Sequence, residues 1–96
     1  MNLKIQKLLN GETIISKEGG NSMLPLIKSK QPVKIEPIDN EKIKVGDIVY
    51  CKVQGRIYTH LVKAIDKNKG FLIGNNQGRI NGWTKTIYGK VTEIMA

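Results

Sequence analysis

Asp47-Ile48-Val49-Tyr50-Cys51-Lys52-Val53-Gln54-Gly55-Arg56-Ile57-Tyr58-Thr59-His60-Leu61-Val62-Lys63-Ala64-Ile65 decides the fold. Two runs rich in β-branched and aromatic side chains flank Gln54-Gly55, a hairpin signal. They predict strands over 48–53 and 57–65, the second the longest in the chain. Val45-Gly46-Asp47 reads as the turn that feeds the first of them. Working outward, residues 12–17, 33–37, 70–74 and 86–94 also read as strands. Residues 39–42 form a polar connector, 66–69 a turn, and 74–83 a loop rich in Gly and Asn, which tolerate positive φ. Residues 23–28 suit one helical turn with Pro25 near its start. At the N-terminus, Ile5, Leu8 and Leu9 fall at i, i+3, i+4 spacing within 2–10. This is a short amphipathic helix that Asn2 would cap and Gly11 would end. Short antiparallel strands with closely spaced turns predict a mainly β fold, a rolled antiparallel sheet or partial barrel carrying a short N-terminal helix.

Ninety-six residues make one domain with a modest core, here expected to span the whole of 1–96. Nothing resembles a repeat or an interdomain linker. No apolar run approaches the roughly 20 residues that a bilayer requires, and residues 1–9 are too short and polar for a signal peptide. A soluble, cytoplasmic protein without membrane insertion is the expectation. Cys51 is the only cysteine, so no intrachain disulfide forms; its strand setting suits a small buried hydrophobe. One His and one Cys cannot supply a zinc site, and no metal or other cofactor is expected. The net charge is +8, with 14 Lys and 2 Arg against 8 acids. That favours anionic partners, but the lysines are scattered. A lysine-rich soluble surface and weak nucleic-acid binding through that surface are the two readings.

The chemistry concentrates in Gly20-Asn21-Ser22-Met23-Leu24-Pro25 and in His60, the only histidine. Glycines before Ser22 allow a tight turn and close approach of a substrate. Backbone N–H groups from Asn21 to Met23 would then face a developing oxyanion. The same residues also make an ordinary loop. His60 shares a strand face with Tyr58, Val62 and Ala64. It is either a packed, hydrogen-bonded histidine or a general base, being mostly neutral at pH 7. Tyr58 beside it and Trp83 in the Gly/Asn-rich stretch are candidates to line a substrate groove; Trp83 equally suits a cover over the end of the core.

In order along the chain, these segments resemble the boxes of the LexA/signal-peptidase superfamily of serine peptidases, over roughly residues 18–92. Gly20-Asn21-Ser22-Met23-Leu24-Pro25 looks like its serine box and Val45-Gly46-Asp47-Ile48-Val49 like the Gly-Asp segment that follows. Tyr58-Thr59-His60-Leu61-Val62 is similar to the box that supplies the base, which is histidine in the endoplasmic-reticulum and archaeal type. Gly74-Asn75-Asn76 and Tyr88-Gly89-Lys90-Val91 look like the last box. The resemblance implies a serine endopeptidase with a Ser22–His60 dyad acting on an extended peptide, with Asn75 or Asn81 where an acid normally supports the histidine. Gly20 stands where many signal peptidases carry a serine that helps hold the oxyanion. The Ala-Gly and Cys-Gly bonds cut by self-cleaving relatives are absent. The alternative is a peptidase-fold binding module that no longer cleaves, of the kind carried by phages and mobile elements, binding a host protein or nucleic acid.

Overall fold

A computed structural model describes residues 2–96. Helix α1 (Leu3–Leu9) precedes seven strands: β1 (Ile14–Lys17), β2 (Pro32–Glu36), β3 (Ile48–Val53), β4 (Arg56–Asp66), β5 (Gly70–Gly74), β6 (Ile80–Thr84) and β7 (Ile87–Ile94). They form one sheet in the order β1-β2-β7-β3-β4-β5-β6, and every neighbouring pair is antiparallel. The sheet does not close, so of the two shapes expected the open roll is the one adopted. Its far strand nevertheless curls back onto β3: Thr84 Oγ1 donates to the Lys52 carbonyl, and Lys52 N donates to the Thr86 carbonyl.

Helix α1 starts and stops by local chemistry. Asn2 Oδ1 accepts from Lys4 N at 2.8 Å and Ile5 N at 3.3 Å, satisfying two orphan donors of the first turn. At the other end Gly11 takes φ +83°. Gly11 N then bonds Leu8 O and Glu12 N bonds Lys7 O, the paired bonds of a Schellman stop. The central hairpin turns on Gln54 and Gly55, both at positive φ (49° and 82°), which matches the twist of the strands it joins.

Alternation along β3 explains the core. Val49, Cys51 and Val53 point to one face and pack with Ile43, Val62, Phe71 and Ile73. Tyr50 points to the other and packs with Leu8, Ile14, Met23, Ile27, Val33, Ile35, Leu61 and Val91. The sheet is thus buried on both sides at its centre, and α1 and the 22–26 turn cover the second side. Residues 23–28 make no helix. One helical-type bond, Ile27 N to Met23 O at 3.0 Å, ends a run of turns.

Gly89 shows how tightly β7 sits against its neighbours. A Cβ there would lie 2.8 Å from both Glu36 O and Ile35 Cγ2, and 3.2 Å from Leu8 Cδ2. Gly89→Ala should therefore cost about 1–3 kcal/mol of stability, as overpacking does. A urea titration reads this as a lowered midpoint; an unchanged midpoint would refute it.

Candidate active site

The loop bearing Ser22 meets strand β4 where the sheet is incomplete. β5 pairs with β4 only from Leu61 onward, Leu61 lying opposite Gly74. The half of β4 from Arg56 to His60 pairs with β3 alone. The loop is tied into place from the far side of that gap. Asn76 N donates to Ser22 O at 2.9 Å, Asn76 Nδ2 to Leu24 O at 2.9 Å, and Gln77 Nε2 to Leu24 O at 2.8 Å. Met23 and Ile27 anchor the same loop in the core. A serine that follows Gly19-Gly20-Asn21 is thereby held by buried side chains and by three hydrogen bonds.

Ser22 Oγ lies 3.0 Å from His60 Nε2. His60 Nδ1 lies 2.7 Å from Asn81 Oδ1. A carboxamide oxygen only accepts, so Nδ1 carries the ring proton and Nε2 is left as the acceptor facing the serine hydroxyl. The imidazole is buried and stacks on Tyr58, ring centroids 5.0 Å apart. Burial holds its pKa below the ordinary 6.5, opposed in part by the Asn81 bond and by the charge of Glu18. The ring is therefore neutral at pH 7, the form a general base needs.

Asn81 reaches the histidine through a β-bulge. Along β5 and β6, Ile73 pairs with Gly82 and Gly74 with Ile80, so Asn81 between them is the extra residue. A bulge re-aims a side chain out of the ladder's alternation, and here the side chain lands on the imidazole. This is the largest departure from the sequence reading, which treats 74–83 as loop; its second half is strand β6. The two asparagines proposed to orient the base also separate. Asn75 makes no hydrogen bond to His60. Its Oδ1 accepts from Gln77 N at 2.8 Å and Arg79 N at 2.9 Å, closing the turn into β6.

A cavity of about 260 Å³ opens beside the serine, walled by Glu18, Gly20, Ser22, Met23, Ile27, Ile57, Tyr58, Thr59 and His60. Tyr58 is part of this wall. Trp83 is not; it is partly exposed on β6, with Lys69 Nζ 5.4 Å from its ring centroid. Leu24 N bonds Asn21 O at 3.2 Å, while the amides of Ser22 and Met23 have no acceptor among the described residues. Gly20 contributes no hydroxyl there; its N–H donates to Ser29 Oγ at 3.2 Å.

Cys51 is fully buried, its thiol pushed up to about 12 by desolvation, so it is no second nucleophile. Among the described residues no cluster of His, Cys, Asp and Glu could hold a metal ion, and no helix is long and apolar enough to cross a membrane. Comparison of the chain with protein-family models, with curated proteins and with solved structures finds no match.

Proposed function

We propose that this protein is a serine endopeptidase of the LexA/signal-peptidase type, with Ser22 as nucleophile, His60 as base and Asn81 as the group that orients the base. The observation that carries the reading is the pair of contacts on one imidazole, 3.0 Å to Ser22 Oγ and 2.7 Å to Asn81 Oδ1. In the reaction, Ser22 Oγ attacks a peptide carbonyl as Nε2 takes its proton. The Ser22 and Met23 amides receive the oxyanion. The imidazolium then returns the proton to the leaving amine, and water releases the acyl group by the same route in reverse. The unpaired edge of β4 from Arg56 to His60 suits an extended peptide, which would add to the sheet as a strand and bring its carbonyl past Ser22.

The test is labelling by a serine-reactive fluorophosphonate. Wild type should label at Ser22, Ser22→Ala not at all, and His60→Ala far more slowly. Equal labelling of the three proteins refutes the proposal.

One observation favours a second reading, a module that binds peptides at this edge without cutting them. Asn81 carries no charge, so the imidazolium lacks the full counter-charge that an acid supplies. On that reading Ser22→Ala leaves both peptide binding and biological effect unchanged, and wild type does not label.

A further inference from the structure

We propose that the cavity beside Ser22 receives a lysine or arginine side chain of the bound peptide, its aliphatic stem against Met23, Ile27 and Ile57 and its charged tip on Glu18. The cavity is apolar along these walls and carries a carboxylate at Glu18. That combination suits a long apolar stem ending in a cation better than a wholly apolar or an acidic side chain.

The carboxylate is held for such a role. Thr59 Oγ1, on a buried residue of β4, donates to Glu18 Oε1 and fixes one oxygen. The other, Oε2, forms a long ion pair with Lys4, with Nζ 3.8 Å away, which an incoming cation at hydrogen-bond distance would outcompete. Lys4 spends its close hydrogen bond elsewhere, on Ser16 Oγ at 2.8 Å. Among the described residues no donor reaches Oε2 within hydrogen-bond distance, so an incoming ammonium or guanidinium finds an acceptor already positioned. Lys28 is the other charged side chain around the cavity; it is exposed to water, where its field is screened.

What binds follows from the peptide-cleaving or peptide-binding reading above; where the cation sits follows from the cavity alone. The experiment therefore measures binding without turnover. Short fluorescein-labelled peptides that differ only in lysine, norleucine or glutamate at one position are titrated against Ser22→Ala protein by anisotropy. With the variable position walked along the peptide, one position should favour lysine over norleucine by roughly tenfold, a half-exposed ion pair contributing about that much. Glutamate should bind worst. Glu18→Gln keeps an acceptor for Thr59 and should level lysine with norleucine. High salt should shrink the preference in wild type and leave the Glu18→Gln ratio unmoved. Norleucine binding as well as lysine at every position, or a lysine preference that survives in Glu18→Gln, overturns the proposal. Norleucine-peptide affinity that stays at the wild-type level in Glu18→Gln, measured alongside, shows that a lost preference reflects the missing carboxylate and not a disturbed cavity, and fluorophosphonate labelling of wild type separately reports the Ser22–His60 pair.

Discussion

Replacing His60 with alanine is expected to slow fluorophosphonate labelling of Ser22 by about 10²- to 10⁴-fold. A serine hydroxyl is a poor nucleophile at neutral pH unless a base takes its proton during attack. Nε2, at 3.0 Å, is the base in position. Glu18, the carboxylate in the same cavity, makes no hydrogen bond to Ser22 Oγ and is no substitute. The pH dependence has a definite sign. Burial disfavours the charged imidazole and sets its pKa below 6.5. The labelling rate should therefore climb with pH through an inflection below that value and be level by neutral pH. The sequence alone, using an unperturbed histidine, places the inflection at roughly 6 to 7; burial of the ring pushes it down from its ordinary value. His60→Ala should show no inflection in this range. Stopped-flow labelling across pH reads both effects, and an inflection above 6.5, or a His60→Ala rate equal to wild type, refutes the role. For peptide turnover, Ser22→Ala and the double variant with His60→Ala should be equally slow, because the two residues act as a unit.

Sequence carries the strands far better than it carries the site. The apolar alternation of 48–53 and the turn at Gln54-Gly55 belong to local chemistry, and the structure places β3 and its hairpin there. Asn2 and Gly11 are equally local, and both end α1 as expected. The Ser22–His60 contact spans 38 residues, and only the order of the boxes points to it. Asn81 is harder still. Parity rules assume an unbroken ladder, and a bulge breaks them at that residue. The available signal is Gly82 between Asn81 and Trp83-Thr84, since an isolated glycine in a strand pattern marks a bulge. Its φ of +135° shows why glycine is needed there. Asn75 has the opposite history. It sits in Gly74-Asn75-Asn76, the stretch on which the resemblance drew, yet its side chain is consumed by two amides of its own turn.

Asn81→Asp is expected to raise the rate of peptide cleavage, by roughly 10- to 100-fold. In the chymotrypsin-type triad, exchanging the carboxylate for a carboxamide costs about four orders of magnitude, much of it through the wrong imidazole tautomer. Here Oδ1 of Asn81 already faces Nδ1 at 2.7 Å and holds the useful tautomer. What the carboxamide lacks is charge. As His60 takes the proton from Ser22 it becomes a cation in a buried site, and a carboxylate at this distance stabilises that cation while a neutral oxygen does so only weakly. The gain should accordingly be smaller than the full triad effect. It should come with a shifted pH profile, because an adjacent negative charge raises the imidazole pKa. The inflection moves to higher pH, so the advantage is greatest at neutral and alkaline pH and shrinks in acid, where the variant's His60 is protonated first. Asn81→Leu, which removes the acceptor and leaves Nδ1–H unpaired, should lose activity and lower the inflection further. Cleavage of a fluorogenic peptide by the three proteins across pH measures all of this. An inflection that stays where it is in both variants would show that Asn81 does not act through the histidine.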